Sequence, residues 1–540
     1  MEDLVPLQYS PQSENIIITQ YEMHAIEDLG LLKIDLLGLK NLTIIEDTIS
    51  RIYVISGKKI DIENIPLNDR AAYKLLQKGN CVGVFQLESE GVRRYLKQLK
   101  PTQVEDVIAM VALYRPGPIQ FIPDYIAGKH KKKKIEYLHP QLKPILENTY
   151  GIMIYQEQLM KIAQELAGFS LSEADILRKA VGKKIKSLLV SQKEKFIQGM
   201  LKNQIRKEIA QKIWDWILPF AQYGFNKAHA TAYAMIACQT AYLKAHFPVE
   251  FMSALLTSEK SNIERIAVLI SECEKMGIKV LPPDINESFR NFSVVPKEKK
   301  IRFGLLAIKN VGNNVVEAII SERKEGGQFH SFSDFISRIE SKDLNKRSLE
   351  SLIKAGVFDK FEERNKLLTN LEDILNFNRE VRKNKIDKQK SLFAKISNFK
   401  PNLINLKPAQ PAAEEQRLQW EKELLGLYIS SHPLENFRKI LEKKTAKVSE
   451  LTFYSKNHRI RIGGIIAKIK RILTKTGKPM LFMNLEDLTG KIEVVVFPGI
   501  IERNPTAFQE NKIVLISGWV DNRDGVAKVI AEDIEEIVEK

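Results

Sequence analysis

The feature that most constrains how this chain folds is a change of hydrophobic period near residue 455. Before it, apolar residues recur at three- and four-residue spacing, as in Val104 to Leu113, Gln158 to Ala167 and Glu208 to Phe220. That is the pattern of helices with one buried face. After it the spacing drops to two, in Arg459-Ile460-Arg461-Ile462, Lys491 to Phe497 and Asn511 to Ile516, with turn signals at Thr476-Gly477, Thr489-Gly490 and Asp524-Gly525. A helix-period pattern and a strand-period pattern cannot share one element, so residues 455–540 form a separate all-β unit. About five short strands in that length suit a small barrel of the OB type. Loops in the helical part are marked by Arg115-Pro116-Gly117-Pro118 and Leu281-Pro282-Pro283-Asp284. A further helical stretch, about 300 to 375, holds LLAIKNVGNNVVEAIISER and LIKAGVFDKF. Residues 377 to 417 are polar and lysine-rich with Pro401, Pro408 and Pro411, and read as a linker. Residues 1 to about 40 read as a strand-bearing piece.

The chain has 83 Lys+Arg against 67 Asp+Glu, a net charge of +16, which favours a polyanionic partner such as nucleic acid. Three cysteines, Cys81, Cys238 and Cys273, lie far apart, which argues against a disulfide framework or a cysteine zinc site and fits a reducing cytoplasm. The eight histidines show no HExxH spacing, so a structural metal is not expected. No run reaches the length of a membrane span, and MEDLVPLQYS lacks the order of a signal peptide. We expect a cytoplasmic protein with no membrane partner.

Several short stretches carry candidate chemistry. LLKIDLLGL, Leu31 to Leu39, is apolar but holds Lys33 and Asp35, which a strand would put on one face. They form either a structural ion pair or a functional one, because a buried charge needs a partner or a task. In FSLSEADILRKAVGKK, Ser170 and Glu173 predict a capping box, Ala174, Leu177 and Val181 an apolar stripe, and Gly182 a helix end before Lys183 and Lys184. Arg178 and Lys179 are either a solvated face paired to Asp175 or a clamp for phosphate oxygens. YGFNKAHATAYA gathers Tyr223, Phe225, Asn226, Lys227, His229 and Tyr233, a mixture of stacking faces, cations and donors suited to bases and phosphates, or else core aromatics at a helix end. The run KHKKKK, Lys129 to Lys134, is an exposed loop and secondarily a backbone-binding patch. Val311-Gly312-Asn313-Asn314 resembles a helix-hairpin-helix turn whose bare glycine lets backbone N–H groups meet a phosphate, with Ala355 to Phe358 as a weaker copy, or else a plain helical hairpin. Gln389-Lys390-Ser391-Leu392-Phe393 exposes two apolar side chains in a polar segment, which suits docking to a partner or else a local hydrophobic contact.

Taken in order, the blocks KIDLLGLKNLTII, GVFQLESEGVRRYLKQLKP, ALYRPGP, TYGIMIYQEQLM, ADILRKAVGKK, YGFNKAHATAYA, LKAHFPVEFM, VLPPDIN and WEKELLGLYISSHPL resemble the α subunits of bacterial DNA polymerase III, the C-family replicative polymerases. The resemblance, with the barrel after the hairpins, is to the form without an internal proofreading exonuclease. It implies a multidomain chain, mainly α with a C-terminal all-β OB barrel. Residues 1–41 would be a short α/β palm remnant, 42–290 the fingers and 291–376 a helix-hairpin-helix domain. Residues 377–454 would be a linker with a clamp-binding motif and a short helical segment, and 455–540 the OB domain facing single-stranded template. It further implies that Asp35 is the third catalytic carboxylate and a ligand of Mg²⁺ in a two-metal site. Lys33, Arg178, Lys179, Lys183, Lys184, Asn226, Lys227 and His229 would face the nucleotide and its phosphates. Val311, Gly312, Asn313 and Asn314 would touch the DNA backbone, and Gln389, Leu392 and Phe393 the sliding clamp, the β subunit. In the family the basic pair is typically two arginines, so Lys179 departs from the pattern and lacks the bidentate fork. No Asp-x-Asp occurs in the 540 residues, so the other two metal carboxylates are missing. The chain therefore reads as the C-terminal part of such a polymerase. Its partners would be primer–template DNA, deoxynucleoside triphosphates, the clamp, other holoenzyme subunits and an N-terminal half. A non-catalytic DNA-binding tether and a fragment of an error-prone paralogue are the alternative readings.

Overall fold

The computed structural model describes all residues except 1–2, 12, 33, 35–37, 183–185, 222–223, 340–341, 390–403, 456, 475–476, 522–526 and 538–540. The chain opens on an antiparallel hairpin, β1 (Leu7–Ser10) and β2 (Ser13–Thr19), followed by α1 (Met23–Asp28). The described residues of the 31–39 stretch carry no strand, contrary to expectation, and Leu32 and Ile34 are 85% and 70% exposed. A strand needs a neighbouring backbone to complete its ladder. Here β1 and β2 pair with each other, and among the described residues no third strand joins them.

A helical body follows: α2 (Lys40–Ser56), α3 (Arg70–Gln77), α4 (Glu90–Leu99), α5 (Val104–Leu113), α6 (Ile122–Lys129), α7 (Lys143–Leu146), α8 (Gln156–Ala167), α9 (Leu171–Gly182), α10 (Lys186–Lys202), α11 (Lys207–Ala221), α12 (Lys227–His246), α13 (Pro248–Ser258) and α14 (Ile263–Lys275). Its axis is α12, which packs against α2, α3, α5 and α13. Ala230, Ala234, Ala237 and Ala241 recur at helical spacing along it, and all are fully buried. With only a methyl group at each position, neighbouring helices approach closely, and the 20-residue helix becomes a rigid spine. Helices α8 to α11 enclose a core of their own around Phe196, Met200 and Trp214.

Next comes a three-stranded sheet, β3 (Lys279–Leu281), β4 (Ser293–Val294) and β5 (Lys300–Arg302), in the order β3-β5-β4. Helices α15 (Asn313–Gly326), α16 (Phe332–Arg338), α17 (Lys346–Lys354), α18 (Arg364–Thr369) and α19 (Leu371–Gln389) follow it. The segment before Val311 is not the expected α-helix. It is one 3-10 turn, Leu305–Ala307, after which Ile308 turns extended and Asn310 left-handed at φ 67°. The expected start of the linker at 377 is also corrected, because α19 runs on to Gln389. Leu371, Ile374, Leu375 and Asn378 lie on its buried face, and the Asn378 amide donates to the carbonyls of Ile336 and Ile339 at the end of α16. That anchored turn lets the good helix formers beyond it continue the helix. One buried cluster draws on Ile45 and Phe251, on Phe303 to Leu375, and on Leu424 and Leu425. The returning chain is tied down by a reciprocal pair, Lys407 N–H to Asn370 Oδ1 at 2.9 Å and Asn370 Nδ2 to Lys407 O at 2.9 Å. Helix α20 (Glu414–Leu425) then docks on α17. Glu421, 2% exposed, meets Arg364 at 3.1 Å and accepts the Ile429 and Ser430 N–H groups.

After α21 (Arg438–Lys444) the expected barrel closes in the order β10-β8-β7-β6-β9, from β6 (Arg459–Leu473), β7 (Pro479–Glu486), β8 (Lys491–Val496), β9 (Ile513–Asp521) and β10 (Lys528–Glu536). Helix α22 (Pro498–Arg503) lies between β8 and β9 in sequence. At Gly464 a Cβ would lie 2.3 Å from the Glu486 carbonyl, so only glycine lets β6 coil this tightly. Among the described residues, no helix is long and apolar enough to cross a membrane.

Candidate functional site

The site forms where α8, α9 and α12 meet. The backbone of Phe225 donates to Ile154 O and accepts from Gln156 N–H, both at 3.0 Å, so an isolated bridge fixes the start of α12 against the start of α8. Gln156 sits at this junction. Its amide donates to Gly224 O at 3.0 Å, and its Oε1 accepts from Arg178 Nη1 at 3.3 Å. Residues more than twenty positions apart on either side of Gln156 thereby share one surface.

On α9 the capping box forms as expected: Ser170 N–H donates to Glu173 at 2.8 Å, and Glu173 N–H to Ser170 Oγ at 3.3 Å. Lys195 and the Ser170 N–H hold the Glu173 carboxyl down at about 2. Ala174, Leu177 and Val181 are buried, as the stripe predicts. Asp175 pairs with both basic residues, Arg178 at 2.8 Å and Lys179 at 2.9 Å, and Lys179, then Arg178, keeps its carboxyl below the usual range. Arg178 is held on two sides while Lys179 is the more exposed of the two. An incoming phosphate would compete with Asp175 for both cations.

At the start of α12, Asn226 Oδ1 accepts the His229 N–H at 2.8 Å, so the asparagine caps the helix. Both Glu157 carboxylate oxygens accept the Lys227 N–H, at 3.0 and 3.1 Å, placing a negative group at the helix N-terminus. The Lys227 ammonium lies 5.6 Å over the Tyr155 ring. Rings then step along α12: Phe225 to His229 at 5.4 Å, His229 to Tyr233 at 4.3 Å, and Tyr233 to Phe85 at 5.1 Å. The Arg115 guanidinium sits 4.4 Å over Phe225, and burial lowers its pKa. Asn226, Lys227 and His229 are exposed, while Phe225, Tyr233 and Phe85 are half-buried. The arrangement offers stacking faces flanked by cations.

Sequence reasoning missed Gln156, Glu157, Arg115 and Phe85 as members of the site. Arg115 in ALYRPGP and Gln156-Glu157 in TYGIMIYQEQLM stood in quoted blocks, but nothing in a linear reading joins them to α12. Lys33, Asp35, Lys183, Lys184 and Tyr223 lie outside the described residues. Among the described residues no three His, Cys, Asp or Glu side chains cluster as a metal site. The described part of the chain therefore does not by itself fit the expected two-metal centre.

At the hairpin, Val311 is buried while Gly312, Asn313 and Asn314 are exposed. Gly312 has φ −85° and ψ 163°, which any residue adopts, and a Cβ there would meet nothing. It supplies no side-chain cap, so the amino end of the 14-residue α15 is bare. Gly356 differs, because its φ is 80° and a Cβ would lie 2.4 Å from the Arg364 guanidinium. The fold itself demands that second glycine. Gln389 is the last residue of α19, and Leu392 and Phe393 lie outside the described residues.

Comparison with known proteins adds four matches to family models. Residues 41–204 match the bacterial DNA polymerase III α subunit finger domain, and 1–38 the bacterial DNA polymerase III α NTPase domain. Residues 277–368 match a helix-hairpin-helix motif, and 460–537 an OB-fold nucleic acid binding domain. The DNA polymerase III subunit alpha of Aquifex aeolicus is 41% identical over 96% of this chain and 43% of its own length. Those of Borreliella burgdorferi and Bacillus subtilis are each 42% identical, over 98% and 99% of this chain and 46% and 47% of their own. The chain thus spans less than half the length of these relatives.

Proposed function

The chain belongs to the family of bacterial DNA polymerase III α subunits, and from that premise we propose that it supplies the fingers, DNA-binding and clamp-docking parts of a template-directed DNA polymerase. The observation that carries this reading is the Gln156 junction, which puts the Arg178–Lys179 face of α9 beside the Asn226, Lys227 and His229 turn of α12. Cations from two helices converging beside a row of rings suit a deoxynucleoside triphosphate, its phosphates on the cations and its base toward the rings. Lys183 and Lys184 would extend the cationic rim, and Lys33 would face the same phosphates. Mg²⁺ would be held by Asp35 together with carboxylates from the remainder of the polymerase. Primer–template DNA would lie against the bare amino end of α15, at Gly312, Asn313 and Asn314, and against the barrel. We place the protein in the cytoplasm with the rest of the replicative holoenzyme. Three buried free thiols, Cys81, Cys238 and Cys273, suit that compartment.

Binding of this chain to DNA should fall steeply with salt and vary little with sequence, since helix-end and barrel contacts go to backbone and stacked bases. A salt titration on several unrelated primer–templates checks it. A flat salt response, or one sequence preferred by orders of magnitude, would contradict the reading.

Clamp docking is assigned to Gln389, Leu392 and Phe393. Burying the two apolar side chains in a partner pocket would contribute about 3 to 5 kcal/mol before ordering costs. Leu392→Ala with Phe393→Ala should abolish clamp pull-down while leaving DNA affinity intact. Undiminished pull-down of the double variant would remove the motif from the proposal.

A further inference from the structure

We propose that a second phosphodiester-binding surface lies where the C-termini of α3, α4 and α6 converge and present Lys78, Lys97, Lys100, Lys131 and Lys132. It is built from different elements than the α15 hairpin and the barrel. It rests on the reading of this chain as DNA-binding, but not on those other contacts.

The convergence is tied by specific bonds. Gln77 Nε2, at the end of α3, donates to Pro101 O at 2.9 Å, just past α4. The Lys97 side chain lies across Gly79, where a Cβ would come within 2.7 Å of its Cε. A ring nitrogen of His130 lies 2.9 Å from Gln98 O. Lys129 Nζ reaches Thr102 Oγ1 at 3.1 Å and Asp106 Oδ2 at 2.5 Å. Asp106 is completely buried and also accepts the Thr102 N–H at 2.9 Å. The basic run is therefore pinned at its first residue to a buried carboxylate, and its tip is carried on a fixed base.

Its lysines divide into two groups. Lys129, Lys133 and Lys134 are matched to Asp106, Asp124 and Glu136. Lys131 and Lys132, like Lys78, Lys97 and Lys100, are exposed, and among the described residues none has a carboxylate within ion-pair distance. Two of the five also hold backbone that a lysine seldom takes: Lys100 at φ 49° and Lys131 at φ 56° occupy the left-handed position that glycine or asparagine usually fills at a helix end. An L side chain at such a position is strained. The carbonyl ends of three helices put partial negative charge beneath the lysines and offset their mutual repulsion. Cations held together on rigid helix ends match the repeating charge of a phosphodiester chain, and because the loop is already ordered, little entropy is lost on binding. Such contacts follow the backbone and read no base.

The test uses the full chain carrying Lys97→Gln, Lys100→Asn, Lys131→Asn and Lys132→Gln, against wild type and a Lys133→Gln, Lys134→Gln control that removes two carboxylate-paired lysines. Fluorescence anisotropy is titrated across salt with single-stranded and with duplex oligodeoxynucleotides, so the two arms identify which backbone is held. The fourfold variant should lower the slope of log affinity against log salt by roughly 2 to 3 and weaken binding at least about tenfold at low salt, with far less change in the control. If the fourfold variant does not fold, Lys131→Asn with Lys132→Gln alone should give about half the slope change. Variant affinity equal to wild type for both oligonucleotides, or an equal loss in the control, overturns the surface while leaving the hairpin and barrel reading in place. A wild-type chain that binds no DNA overturns both.

Discussion

Asp35→Asn is expected to cut Mg²⁺-dependent nucleotide incorporation by about a hundredfold or more, once this chain is combined with the part of the polymerase that carries the Asp-x-Asp carboxylates. The isolated chain should show no incorporation, because it contains no Asp-x-Asp and one carboxylate cannot organise two metals. Asparagine keeps the size of the side chain and removes its charge. Losing charge stabilisation of this kind at a reacting centre typically costs on the order of 3 kcal/mol or more. Lys33→Ala should raise the KM for nucleotide while sparing primer–template affinity. Single-turnover extension of a labelled primer measures both. Near-wild-type rates in Asp35→Asn would make Lys33 and Asp35 a structural ion pair and withdraw the catalytic assignment.

The largest expected effect on stability is at Lys244→Met. Lys244 is 1% exposed and donates to Asn80 O and Val82 O, each at 2.8 Å, and to Glu272 at 2.6 Å. Burial lowers its pKa, and Glu272 partly restores it. The pair joins α12 to α14 and clamps the loop that leads to Phe85, whose N–H is held by Thr240 Oγ1 at 3.1 Å. The spine that presents Asn226, Lys227 and His229 therefore also positions the ring packed at a tilt against Tyr233. Methionine fills much of the same volume but strands Glu272 as an unpaired buried charge, a loss of about 3 to 5 kcal/mol. Denaturant unfolding followed by the helical signal should shift to a clearly lower midpoint. Adding Glu272→Met should recover much of the loss, since the double variant leaves no charge behind. A double variant as unstable as Lys244→Met alone would mean that the two carbonyls, not Glu272, account for the cost.

Sequence alone determined the features that short-range chemistry decides. Val104 to Leu113 is helical over the residues its spacing predicts, the Ser170–Glu173 box starts α9, and the period-two segments close into a barrel. Each depends on residues within a few positions of one another or on an alternation with a single physical reading. The family was legible for a related reason, because its blocks are local strings in a set order. Only the tertiary structure decided what depends on distant partners. Gln156 is an ordinary first residue of α8 until Phe225 and Arg178 arrive on either side of it. Glu157 became the acid at the α12 N-terminus across a separation of 70 residues. The polar stretch after Phe377 read as linker because its charge suggested solvent, yet α19, anchored by Asn378 against α16, runs on to Gln389. The 31–39 stretch read as strand because its alternation is strand-like, yet its described residues carry none, since a strand exists only where another backbone supplies its ladder. Periodicity reports which face of a segment can be buried. Whether it is buried, and against what, depends on contacts that the chain makes only when distant segments meet.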